Sequence, residues 1–264
     1  MYYGRTFIFD GIESERYGLY LGEFSGSGDA TNPGGGDTEV LTQKIYRRPK
    51  LLLLGAEQTP VLTFQLSMYS EDEISAQSFS EIGAWLFGQS AYKVLRICQP
   101  DMQEIGFNCF LTQPQIIRVG NIVQGISCTV VCDSPFAWRE PKVYTYSYNA
   151  NAYSITDSIN FLNESANAAY TYPTGIVITA NIFGGSLTVT NVTDANRQFI
   201  LTLSPGEVVT INNDLQLISS SINSYPISQF NLHFLRLLPG YNQLTVSGNI
   251  SSMVITSPIA VKIA

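Results

Sequence analysis

From residue 141 onward the sequence repeats one pattern: short runs of β-forming residues separated by Gly, Pro, Asn and Asp. "TGIVITA", "GSLTVTNV", "QFILTLSPG", "EVVTINND", "LQLIS", "FLRLLPG", "NQLTVSG" and "SMVITSP" follow one another in this way. Apolar and polar residues alternate along most of these runs, so one face of each is directed to a core and the other to water. That restricts this half of the chain to all-β architecture, and a β-sandwich satisfies it. The same half holds nine charged residues in 124, whereas the first 140 hold 26. The change falls at Pro135–Pro141, inside "DSPFAWREP", where two prolines bracket two aromatics. The sequence therefore divides into two domains, 1–140 and 141–264.

The first domain is also mainly β. "RTFIF" (5–9) reads as a strand, Asp10–Gly11 as a turn and Tyr17–Leu21 as a second strand. The glycine-rich stretch 22–37 reads as a long loop, not a phosphate-binding loop, because it lacks the Gly-Lys-Ser/Thr ending and no helix follows. Val40–Arg47 and Val61–Met68 read as long strands, the latter alternating Leu62, Phe64, Leu66 and Met68 against polar partners. One helix is expected within 70–88. Ser70 with Glu73 and Ser78 with Glu81 have capping-box spacing, Phe79, Ile82 and Leu86 share a face, and Gly88 supplies a stop. Three further strands are expected near Tyr92–Ile97, Glu104–Thr112 and Asn121–Cys132.

Composition excludes several functions. A net charge of −7 does not suit a nucleic-acid groove, which needs clustered Lys and Arg. The basic cluster "KIYRRPK" (Lys44, Arg47, Arg48, Lys50) reads as an interface or a solvated loop. No run approaches the ~20 apolar residues of a membrane helix, and the N-terminus lacks the apolar core of a signal peptide. Folding in a cytoplasm follows as the simplest expectation, and the sequons at Asn163, Asn191 and Asn249 then carry no meaning.

The candidates for chemistry are few. Cys128 and Cys132 share a strand face with Ile126 and Val130, so they read as buried, reduced thiols and not zinc ligands. His233 is the only histidine and alternates with apolar neighbours, which reads as a structural or surface residue. Glu71–Glu73 suits a helix N-terminus better than a glycosidase pair. No catalytic residue, metal or cofactor is expected, and the chain does not read as an enzyme. Tyr144, Tyr146 and Tyr148 alternate on one strand face. They read either as a carbohydrate platform or, preferably, as a sheet face packed on the neighbouring domain.

Taken in order, several segments resemble the distal tail protein (Dit) family of long-tailed, non-contractile bacteriophages. "FIFDGIESERYGLYLGEF" is similar to the family's opening hairpin, with Gly11, Ser14, Glu15, Tyr17 and Gly18 at the matching positions. "FSEIGAWLFG" followed by "YKVLRI" resembles its helix and next strand, and "CTVVCDSPFAW" its first-domain ending. "RLLPGYNQLTVSG" resembles a Pro-Gly-x-Asn turn between sandwich strands, here Pro239, Gly240 and Asn242. The resemblance implies a tail-tube-related, barrel- or sandwich-like N-terminal domain with one helix and a galectin-like C-terminal β-sandwich. It further implies a homo-hexameric hub ring in the virion, joining the tail tube protein to the tip protein and the receptor-binding proteins. At 264 residues there is no room for an inserted carbohydrate-binding module. The alternative is a lectin-like adhesin that binds host cell-wall polysaccharide.

Segments 38–68 are the expected arm around the adjacent subunit, with Tyr46, Arg47, Arg48, Leu51, Leu52, Leu53 and Leu54 as candidate inter-subunit contacts. Four leucines beside a basic cluster, after a glycine-rich linker, suit an exposed strand that another chain covers.

Overall fold

The computed structural model describes residues 5–22, 38–58, 61–166 and 169–262. All but the first residue of the expected glycine-rich loop therefore lies outside the described residues. The chain forms two compact units that divide between Trp138 and Arg139, with Val261 and Lys262 returning to the first. The sequence places the division at 140/141 and assigns the C-terminus to the second domain.

In the first unit, β1 (Thr6–Phe9), β2 (Ile12–Glu13) and a short 3-10 turn (Ser14–Tyr17) lead into β3 (Leu19–Leu21). Next come β4 (Thr38–Gln43), β5 (Leu52–Gln58), β6 (Thr63–Ser70) and helix α1 (Ala76–Phe87). β7 (Lys93–Cys98), β8 (Ile105–Val119), β9 (Ile122–Cys132) and the start of β10 (Ala137–Ser147) complete it. The strands pair in the order β2-β1-β7-β8-β9-β6-β3. The Leu21 N–H donates to the Arg5 carbonyl at 2.8 Å, which ties the last strand back to the start of the first.

Alternation decides which side chains face inward. Phe64, Leu66 and Met68 of β6 are buried, and they meet Phe7, Phe9, Leu95, Phe107, Ile126 and Val130 in one core. α1 closes that core with Ile82 and Leu86. Trp85 fixes its orientation by donating its indole N–H to the Phe9 carbonyl at 3.0 Å and stacking on Tyr17 at 4.9 Å. Each fully buried Leu, Ile or Phe contributes about 1.5–3 kcal/mol, so the helix depends on this face and not on its caps.

The helix termini depart from expectation. Ser70 is the last residue of β6, paired with Leu19, and Glu71–Glu73 precede the helix instead of forming its first turn. The N-cap is Ser75, whose hydroxyl accepts from the Ser78 N–H at 3.1 Å. Gly88 does end the helix, yet its φ is −81°. It is glycine because a Cβ there would lie 2.5 Å from the Ala84 carbonyl oxygen.

The second unit runs from β10 through β11 (Ile155–Asn163), β12 (Gly175–Ala180), β13 (Gly185–Asn191) and β14 (Arg197–Leu203). It continues with β15 (Val208–Asn212), β16 (Leu217–Ser220), β17 (Gly240–Gly248) and β18 (Ile250–Val261). Strands β16-β15-β12-β18-β10 face β11-β17-β13-β14 across a core that includes Phe161, Ile178, Leu187, Leu201, Val246 and Ile255. The free edge of β14 is covered by the chain around Phe230. Leu201 bridges Phe230, and the Asn231 amide donates to the Gln198 carbonyl at 2.9 Å. Covering an edge in this way removes a site for unwanted strand pairing.

Asn242 explains the turn at Pro239–Asn242. It is fully buried, and its side-chain oxygen accepts from the Leu238 N–H (2.8 Å) and the Asn191 amide (3.0 Å). Its own amide donates to the Leu238 carbonyl at 2.7 Å. Gly240 supplies the positive φ of 81° that the turn needs.

Because one core serves each unit, a fragment covering 139–260 is expected to melt cooperatively by itself. A molten, aggregating fragment would contradict two self-sufficient cores. Within that fragment Asn242→Ala should cost about 1–3 kcal/mol for each buried partner left unpaired, read from urea midpoints. A loss below 0.5 kcal/mol, on the order of a neutral surface change, would remove the turn's structural role.

Candidate functional site

β4 and β5 stand apart from the rest of the first unit as a two-stranded sheet. Thr38 pairs with Gln58 at the open end and Gln43 with Leu52 at the other, with a bulge after Leu41. The connection 44–51 holds Lys44, Arg47, Arg48 and Lys50, so all four cations sit at the tip of a hairpin. Arg47 turns the chain with a φ of 64°, and the Arg48 N–H donates to the Ile45 carbonyl at 3.1 Å. The Arg47 guanidinium lies 5.4 Å from the Tyr46 ring centroid, and Tyr46 is 85% exposed. The expected strand Val40–Arg47 therefore stops at Gln43, because a turn at Tyr46–Arg47 cannot belong to a ladder.

Leu51, Leu52, Leu53 and Leu54 are between 45% and 64% exposed, and Val40 is exposed with them. Successive strand residues point to opposite faces, so consecutive leucines make both faces of the hairpin apolar. A lone two-stranded hairpin is marginal in water, and a contiguous apolar patch marks an interaction surface. The structure thus brings all seven sequence-selected contact residues onto one element.

A second projecting element has no counterpart in the expected strand ends. β8 runs to Val119, seven residues beyond Thr112, and pairs with β9 up to Val119–Ile122. Ile116, Val119 and Ile122 are exposed on this extension. Pro114 argues for a strand end, but a register break between Thr112 and Gln115, with Gln113 at a φ of 52°, takes the proline out of the ladder. The Gly120–Asn121 pair is the hairpin signal that marks it in the sequence.

Tyr144, Tyr146 and Tyr148 do form one face of β10. They pack against the second unit's own core: Tyr144 lies 4.6 Å from Phe161 between ring centroids. Tyr148 donates to the Asp157 carboxylate at 3.2 Å, and burial raises the Tyr148 and Tyr146 phenols above their ordinary range. Periodicity identifies a face but not the layer that covers it.

His233 is exposed and lines a hollow of about 420 Å³ with Asp194, Asn196, Arg197 and Arg236. Asp194 and Arg236 form a two-toothed ion pair at 2.6 and 2.9 Å that fastens the β13–β14 turn. Among the described residues no group of His, Cys, Asp and Glu is arranged to hold a metal ion. Cys109, Cys128 and Cys132 are buried thiols and Cys98 is exposed. Burial pushes Cys128 and Cys132 up to about 12 and raises Cys109 further. A neutral thiol is a poor nucleophile, so these three act as small apolar side chains.

Two hairpins of this β-rich chain thus carry exposed apolar residues of the kind that mark interaction surfaces. Residues 2–134 match the family model described as phage tail protein N-terminal domain, and residues 136–256 match the phage tail C-terminal domain. The chain belongs to this phage tail protein family. Its fold is also that of SPP1 Dit (gp 19.1), described as a paradigm of the hub adsorption apparatus in phages infecting Gram-positive bacteria. The two share 10% identity over 96% of this chain and 98% of that one, with a TM-score of 0.67. A chain of the phage p2 baseplate in its strontium-activated conformation is similar with 7% identity and a TM-score of 0.57, over 98% of this chain and 99% of that one. The calcium-activated p2 baseplate gives 8% identity and 0.54, with the same coverage. No curated protein matches the chain.

A thiol reagent at pH 8 is expected to label one cysteine per native chain, Cys98, and four after denaturation. Labelling of three or four in the native protein would contradict the buried thiols.

Proposed function

We propose that this phage tail protein is a baseplate hub subunit. Copies close head to tail into a hexameric ring between the tail tube protein and the tip and receptor-binding proteins. The observation that carries the reading is the β4–β5 hairpin, with both faces apolar and a cationic tip. A head-to-tail contact that closes on itself gives a ring, and each subunit then offers one hairpin and receives one. The Dit-like fold of both units supports placement at the tail tip of the virion. In this reading the first unit forms the ring and the sandwich docks baseplate components. The lectin-like alternative loses its best platform, because Tyr144, Tyr146 and Tyr148 are engaged in the sandwich core.

Leu52→Asp with Leu54→Asp tests the reading. Both leucines are exposed, so the double variant should keep the wild-type fold and melting behaviour. Light scattering is expected to find six subunits for the wild type and one for the variant. A monomeric wild type, or a variant that remains hexameric, would contradict the hairpin as the ring contact.

A further inference from the structure

The hairpin tip and the body of its own unit carry opposite charge. Four cations and no carboxylate lie between Lys44 and Lys50, whereas the rest of the described first unit holds twelve carboxylates against six cations. A tip of one sign on a body of the other favours contact between copies and disfavours tip-to-tip encounters.

One place on that body has the chemistry to receive the tip. A hollow of about 630 Å³ beside α1 is lined by Asp10, Tyr17, Glu81, Trp85, Gln89 and Lys93, among others. Trp85, held between Phe7 (5.9 Å) and Tyr17 (4.9 Å), makes one wall rigid and aromatic. The polar lining is rich in acceptors. Asp10 is partly engaged by Lys93 at 2.9 Å, and Glu81 accepts from Gln77 at 3.3 Å, leaving further lone pairs on both carboxylates. The Gln89 side-chain oxygen is buried there without a hydrogen-bond partner, although its amide donates to the Leu86 carbonyl. A buried acceptor without a donor is costly, and a guanidinium would satisfy it. The hairpin tip offers the complement: exposed Tyr46 for the aromatic wall, and Arg47 and Arg48 for the acceptors.

We propose that the α1 hollow of one copy is the acceptor for the β4–β5 hairpin tip of the next, with Arg47 facing Glu81 and Gln89. The proposal rests on the hub-ring reading and names the receiving surface that reading leaves open. The occupant is a second copy of this chain.

The test is a charge exchange followed by sedimentation. Glu81→Arg and Arg47→Glu should each weaken assembly by roughly tenfold or more, and the double exchange should restore most of the loss. In a Cys98→Ser background, Tyr46→Cys with Glu81→Cys should give oxidation-dependent ladders of linked subunits on a non-reducing gel. Additive losses in the double exchange, together with no ladder, would overturn the proposal. If Leu52→Asp with Leu54→Asp still yields monomers in that case, the hairpin remains the ring contact and its acceptor lies elsewhere. Assembly by that leucine variant would instead show that the hairpin is not the ring contact, and the proposal would fall with it. Cross-linking only within one chain would identify the chain's own hairpin as occupant and also overturn the proposal.

Discussion

A two-stranded hairpin has only one ladder of hydrogen bonds and no core behind it, and folding the chain against conformational entropy needs more than that. β4 and β5 meet this constraint in its strictest form. They make a sheet of their own, and their leucines face water on both sides. Uncovered, such an element is marginal in water, which is the physical reason the proposed ring sets it against a neighbouring copy. The remainder of the first unit supplies a rigid base. Phe7, Phe9, Phe64 and Phe107 pack under α1, and Trp85 ties the helix to β1.

The second unit solves the opposite problem. With few charges available, it closes its turns with buried amides: Asn242 bonds Leu238 and Asn191, while Asn163 donates to the Leu237 carbonyl at 3.2 Å. Glu207, fully buried, accepts from the Ser204 N–H at 2.6 Å and from the Ser220 hydroxyl. Such fully bonded networks specify one geometry, because an unpaired member would cost the full desolvation of its group. An unusually neutral sandwich therefore needs no ligand to explain its polar interior.

Much of this architecture was legible in the sequence, and the failures have physical causes. Phe64, Leu66 and Met68 could be placed because a period of two survives in a half-buried strand. The helix was legible from Ile82 and Leu86, but its cap was not: Ser70, Ser75 and Ser78 are all competent, and β3 decides the matter by pairing with Ser70. β8 was cut at Thr112 because a bulge that accommodates Pro114 leaves no local trace. For the candidate site, the leucines and cations were visible as a cluster, and the turn at Tyr46–Arg47 that sets them at a tip was not. The α1 hollow was beyond reach, since Asp10, Glu81 and Gln89 meet only through tertiary packing.

Amide hydrogen exchange across the assembly equilibrium tests the central claim most directly. At concentrations that favour single chains, the amides of Leu52–Gln58 should exchange near the unprotected rate, while β6 and β9 stay slow. On assembly, the hairpin amides should become protected by at least two orders of magnitude. Equal protection of Leu52–Gln58 in the single chain and in the assembly would contradict the account, because the hairpin would then be stable without a partner.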